Sequence, residues 1–233
     1  MPFDPSRVRA ICFDVDGTLS DTDDQLVGSI AQFLTKLPFL SGRESRRLAR
    51  RVVLDAETPV NAAYGLADRL GIDDELKRVR DYLRELRGAD DAEPEHLVVP
   101  GIDEMIETLA AHFPMCAIST GGAERVAHFF EHFGLREHFT ALVTAQTTPR
   151  MKPYPDPVHY AAEQMGVAAA ECVMIGDTTV DMLAGTSAGA QTIGVLCGFG
   201  TEDELRREGA DLVVDVTPDV VPFLLTAEGA PRR

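Results

Sequence analysis

The chain has 233 residues, 45% of them hydrophobic and 26% charged, and carries a formal net charge of −16. That length can bury a substantial core, and that balance belongs to a soluble globular protein rather than a disordered or fibrous one. The charge argues against a nucleic-acid partner, which needs a basic face, and no apolar run is long enough to span a bilayer or to serve as a signal peptide, so a cytoplasmic location without a membrane partner is expected.

The first apolar run is "VRAICF" (8–13), which ends at Asp14. From about residue 22 to 95 the pattern changes. "QLVGSIAQFLTKL", "SRRLARRVVLDA", "PVNAAYGLADRLG" and "DDELKRVRDYLREL" all have helical spacing, with no convincing strand among them. Residues 21–95 also hold 12 of the 22 lysines and arginines, with Arg43, Arg46, Arg47, Arg50 and Arg51 close together. "GADDAEPEHLVVPG" (88–101), rich in acids, Pro and Gly, reads as a linker out of this segment. Beyond it, helical and apolar stretches alternate: a helix over 102–113, a strand over 115–120, a helix over 123–134, a strand over 141–145, a helix over 157–166, a strand over 172–177, a helix over 180–189, then strands over 191–196 and 210–215.

Apolar runs of this kind read as strands buried on both faces. Their alternation with helices predicts parallel strands joined by helical crossovers, an α/β core. The expected division is a core of 1–20 with 96–233 and a helical insert of 21–95. In an open parallel sheet, ligands gather beyond the carboxyl ends of the strands. Asp14, Thr120, Lys152 and Asp177 fall at or just past such ends.

Asp14 and Asp16, in "FDVDGTLSDT", admit three readings: calcium ligands, helix caps or catalytic groups. An EF-hand loop starting at Asp14 would need glycine at its sixth position, and here glycine comes at the fourth. Capping suits one of Ser20, Asp21, Thr22, Asp23 or Asp24, which precede a helical pattern, but not two acids at a strand end ahead of Gly17. The four cysteines lack Cys-x-x-Cys spacing and sit in or beside apolar runs, so buried free thiols are expected. The histidines lack ligand spacing.

"FDVDGTLSDT" resembles the first motif of the haloacid dehalogenase superfamily of phosphohydrolases. "CAISTGG" is similar to its second, a strand ending in Ser or Thr; "RMKPYPDP" to its third, a lysine before a proline-rich turn; and "VMIGDTTVDMLAG" to its fourth, Gly-Asp-x-x-x-Asp. Four motifs in order are far more specific than any one of them. The resemblance implies a Rossmann-like parallel core and, from the placement of 21–95, a helical cap of the phosphoglycolate phosphatase-like branch. It also implies a Mg²⁺-dependent phosphatase acting on a small phosphorylated metabolite. Asp14 would be the nucleophile and Asp16 the general acid and base. Thr120 and Lys152 would hold the phosphoryl oxygens, with help from backbone N–H groups beside Gly17 and Gly121. Asp14, Asp16 through its backbone carbonyl, Asp177 and Asp181 would bind the metal.

The chemistry agrees with these roles. A phosphoester site must supply a nucleophile, a proton for the leaving oxygen and positive charge for the phosphoryl group. Several carboxylates cannot share a pocket with phosphate without cations, and Lys152 is the only lysine outside 21–95. Asp181 has a rival role as a helix first-turn acid, and Ser119 competes with Thr120, because strand alternation turns only one of the two inward. The arginines of 43–51 face either substrate or solvent. "TAQTTPRMKP" departs from the family pattern, with Gln146, Thr147 and Thr148 where acids are frequent. A phosphomutase or phosphotransferase on the same fold, or a non-catalytic phosphate-binding regulator, are the alternatives, and a monomer or a homodimer fits equally.

Overall fold

The computed structural model describes residues 2–20 and 98–225. By its contacts the chain divides into two compact units, Met1–Asp23 with His96–Arg233 and Asp24–Glu95. The helical cap expected over 21–95, with its arginine group, lies outside the described residues.

Six strands form a parallel sheet: β1 (Ala10–Phe13), β2 (Met115–Ile118), β3 (Ala141–Val143), β4 (Cys172–Gly176), β5 (Gln191–Val195) and β6 (Leu212–Val214). Their spatial order is β3-β2-β1-β4-β5-β6. Cys12 lies in register with Cys116 on one side and Met174 on the other. Every residue of β1, β2, β4 and β5 is buried, which is why these strands read as unbroken apolar runs; β3 and β6, at the edges, are partly open. Two polar residues interrupt the buried strands, both in β5: Gln191 exchanges two hydrogen bonds with the backbone of Asp4, at 2.7 and 2.9 Å, and the Thr192 hydroxyl donates to the Gly209 carbonyl at 2.7 Å.

Helices cover both faces. α1 (Ile102–Ala110) turns Ile102, Met105, Ile106 and Leu109 inward at helical spacing, and α2 (Ala123–His132) turns in Val126, Phe129 and Phe130. These side chains pack with Ile11 and Phe13 of β1 and Val173 and Ile175 of β4, and the Phe130 ring meets Phe139 edge to face at 4.8 Å. On the opposite face, α3 (Asp156–Met165) and α4 (Thr179–Ala188) present Val158, Ala161, Ala162, Ala184 and Ala188 to Cys12, Cys116, Ile118 and Met174. The first face is filled by large side chains. On the second, small ones bring the helices close to the sheet.

A short helix, α5 (Glu202–Arg207), connects β5 to β6, and α6 (Val221–Leu224) ends the described chain. Among the described residues, no helix is long and apolar enough to cross a membrane. Cys12, Cys116 and Cys172 are buried free thiols, as expected, whereas Cys197 is only half-buried.

Candidate active site

The strand order reverses at β1: β2 and β3 extend to one side, β4 to β6 to the other. The crevice beyond the carboxyl ends of β1 and β4 is therefore the place where an open parallel sheet can hold a ligand. Asp14 directly follows β1, and its N–H continues the ladder to the Ile175 carbonyl at 2.8 Å. Asp177 directly follows β4. Asp181 comes from the first turn of α4, and Lys152 from the loop after β3.

Lys152 ties these elements together. Its ammonium donates to the Asp14 carboxylate, to Asp181 Oδ1 at 2.6 Å and to the Ile118 carbonyl at 3.0 Å, using all three of its protons. The peptide between Lys152 and Pro153 is cis. Asp181 is fixed from behind, because its Oδ2 accepts from the N–H and the hydroxyl of Thr178 at 3.1 and 2.6 Å, closing a capping box on α4. Thus one oxygen of Asp181 caps α4 while the other faces Lys152. Asp177 accepts from the Thr18 hydroxyl at 3.2 Å and from the Phe199 N–H at 2.8 Å. A Cβ at Gly198 would strike the Asp177 carboxylate, so this backbone can approach the acid only as glycine.

The result is a buried trio: one oxygen each from Asp14, Asp177 and Asp181, all within 4.8 Å of one another. Burial pushes the Asp14 carboxyl well above its usual range; the Lys152 ammonium opposes this, while Asp181, Asp177 and Asp16 add to it. For Lys152, burial works against the ammonium, but Asp14 and Asp181 outweigh it and raise its pKa. Three buried carboxylates against one ammonium leave an excess of negative charge away from water. A set of hard oxygen donors with that excess fits a divalent cation such as Mg²⁺.

The side chain of Asp16 turns elsewhere. It accepts from the Ser119 hydroxyl at 3.3 Å and, at both of its oxygens, from the guanidinium of Arg125 at 3.1 and 2.8 Å. The three carboxylates expected to bind metal therefore converge, and the Asp16 carboxylate, for which acid and base chemistry was expected, stands apart from them. Thr120 is not brought to the cluster. It is exposed, whereas Ser119 is fully buried and points to Asp16, so alternation at the end of β2 selects the serine. Gly17, at φ 84°, makes the turn after Asp16 that a side chain would strain, and its N–H donates to the Ser20 carbonyl at 2.9 Å. The Gly121 N–H donates to Ser119 Oγ at 3.0 Å.

Three participants escaped the sequence reading. Thr18 stood inside the first motif, but nothing local says that its hydroxyl would orient Asp177. The Phe199 N–H comes from the loop after β5, and a backbone donor leaves no mark in a sequence. Arg125 was visible as a rare cation in the acidic core, close behind "STGG", yet its reach across to Asp16 depends on how α2 leaves β2.

Residues 11–195 match the model of the haloacid dehalogenase-like hydrolase family. The chain is 32% identical over 214 residues to a probable phosphatase, IndB, of Dickeya dadantii, covering 91% of each protein. It is 26% identical over 223 residues to a phosphoglycolate phosphatase of Pseudomonas fluorescens, covering 93% of this chain and 80% of that one. The crystal structure of a predicted phosphatase from Clostridium acetobutylicum shares the fold, with a TM-score of 0.68 at 24% identity over 94% of this chain and 98% of that one. The family match runs from β1 through β5 and takes in Asp14, Asp16, Ser119, Lys152, Asp177 and Asp181, so this chain belongs to the haloacid dehalogenase-like hydrolases.

Proposed function

We propose that this hydrolase is a Mg²⁺-dependent phosphatase that cleaves a small phosphomonoester through a phosphorylated Asp14, in the manner of a phosphoglycolate phosphatase. The observation that supports it most is the convergence of Asp14, Asp177 and Asp181 around the buried ammonium of Lys152 at the reversal of strand order.

In this reading an Asp14 oxygen attacks phosphorus while the bond to the leaving oxygen breaks. The leaving oxygen takes its proton from Asp16, which stands two residues on, past the turn from β1. Water then attacks the aspartyl-phosphate, Asp16 accepts the proton, and Asp14 is regenerated. Lys152 and the Ser119 hydroxyl hold the phosphoryl oxygens, Ser119 taking the part expected of Thr120. Asp14, the Asp16 carbonyl, Asp177 and Asp181 are the residues that would hold Mg²⁺, which when bound supplies the charge that lets phosphate and carboxylates share one pocket. Thr18 and the Phe199 N–H fix the orientation of the Asp177 carboxylate, and Thr178 does the same for Asp181, as outer partners of a metal site would.

The substrate is a small phosphorylated metabolite, chosen by the cap over 21–95, and the protein works in the cytoplasm as a monomer or homodimer. Phosphate release from p-nitrophenyl phosphate and phosphoglycolate, measured with Mg²⁺ or with EDTA, tests the reading. Turnover should require Mg²⁺ and vanish in Asp14→Asn. Turnover that survives in folded Asp14→Asn protein, or that is indifferent to the chelator, would refute it.

A further inference from the structure

The site holds a second cation that the chemistry above leaves without a task. Arg125 projects from the first turn of α2 and lies across the turn after β2, where a Cβ at Gly121 would collide with its guanidinium. The guanidinium grips both oxygens of Asp16, at 3.1 and 2.8 Å, with side chains 45% and 31% exposed. Lys152, by contrast, is 2% exposed. The two cations therefore stand at different depths, Lys152 buried beside Asp14 and Arg125 partly open to water beside Asp16.

A guanidinium fork that fits a carboxylate fits a ligand's carboxylate or phosphate equally well. Both partners are partly open to water, so an arriving anion can compete with Asp16 for the same fork. The surrounding core is strongly acidic, and a partly exposed cation there is the natural landing point for a negative group that cannot reach Lys152. We infer that Arg125 is a specificity-determining residue: it leaves Asp16 to bind a second anionic group of the substrate, a carboxylate or phosphate, beside the phosphoryl group held at Asp14 and Lys152. The substrate class is then a small phosphate compound with two anionic ends. This rests on the hydrolase reading above and narrows it.

The test compares wild type, Arg125→Ala and Arg125→Lys on inorganic pyrophosphate and phospholactate, which carry a second anion, and on p-nitrophenyl phosphate, which does not. The ratio of kcat/KM for the better two-anion substrate to that for p-nitrophenyl phosphate should fall by about tenfold or more in Arg125→Ala, chiefly through KM, the scale of a lost charge-assisted pair. Arg125→Lys should recover part of it. An unchanged ratio overturns the inference, whether activity is untouched or falls equally on all substrates through kcat, as it would if Arg125 merely positioned Asp16. A wild type that hydrolyses p-nitrophenyl phosphate but does not favour either two-anion compound overturns it as well. No turnover of any substrate by wild type would sink the hydrolase reading itself. Calorimetric titration of pyrophosphate into Asp14→Asn and Asp14→Asn/Arg125→Ala proteins then decides the role of Arg125 separately: weaker binding in the double variant sustains it, and equal binding rejects it.

Discussion

Lys152 is the residue on which the others depend. Its ammonium is buried, and its charge offsets acids that could not otherwise share the space. Lys152→Met should therefore cost about 3–5 kcal/mol of stability in metal-free protein, since removing one partner leaves buried charge unpaired. Chemical denaturation in EDTA measures this, and a loss below about 1 kcal/mol, the scale of an exposed pair, would contradict the account. At the end of β2, Ser119→Ala should lower kcat by about 10²-fold, as loss of a donor to a developing anion does, while Thr120→Ala stays within a few-fold. The reverse ranking in steady-state kinetics would return the role to Thr120. The raised pKa of Asp14 has a sign that can be checked. Its carboxyl holds a proton up to higher pH than a free carboxyl does, so Mg²⁺ and the proton compete for it over that raised range and the metal affinity should rise with pH there; calorimetry showing pH-independent affinity would argue against Asp14 as a ligand. At this scale the sequence put Asp14, Lys152 and Asp177 at or just past strand ends, a one-dimensional placement, and the resemblance added Asp181; the structure brings these four side chains together. The expectation of Thr120 was wrong by one residue, because alternation says that one of the two points inward without saying which, and the structure turns Ser119 in.

The six strands were legible because the central ones are buried on both faces and so admit no polar residue without a partner. The four long helices were legible through their 3.6-residue spacing, as in Ile102, Met105, Ile106 and Leu109. α5 was not, for a physical reason: six residues bury one side chain, Leu205, and a single apolar residue among Glu202, Asp203, Glu204, Arg206 and Arg207 carries no period. Its capping box, Thr201 with Glu204, was the available signal. α4 makes a separate demand. A Cβ at Gly185 would lie 2.6 Å from Thr192 Cγ2 and 2.9 Å from Met174 Cβ, so the helix touches the sheet through its glycine. Gly185→Ala gains about 1 kcal/mol of helix propensity, but overpacking against two stiff neighbours costs about 1–3 kcal/mol, so a net loss is expected. Because α4 carries Asp181, the displacement should also weaken Mg²⁺ binding. A variant as stable as wild type in denaturant melts, with unaltered metal affinity, would show that the helix can retreat without consequence.

Across the whole molecule, the order β3-β2-β1-β4-β5-β6 is what turns scattered acids into a site, since it places the ends of β1 and β4 side by side. That order was not in any local pattern, and the sequence reading stopped at parallel strands joined by helical crossovers. The thiols follow from the same architecture. Cys12, Cys116 and Cys172 lie on the small-residue face of the sheet, and burial pushes the Cys116 thiol up to about 11. Because the folded state holds that proton more tightly, this contribution to stability is intact below the unfolded thiol's pKa and is lost as pH rises toward about 11. Iodoacetamide near neutral pH should leave these three cysteines unmodified in native protein and label them on unfolding; rapid native labelling of Cys116 would mean that the core opens. The central claim is that Asp14 carries the phosphoryl group between substrate and water, and the most direct measurement is peptide mass spectrometry of enzyme acid-quenched during turnover with Mg²⁺. A phosphoryl adduct on Asp14, absent from Asp14→Asn protein, is the expected result; an enzyme that turns over rapidly yet shows no adduct there, or shows it on another residue, would contradict the account.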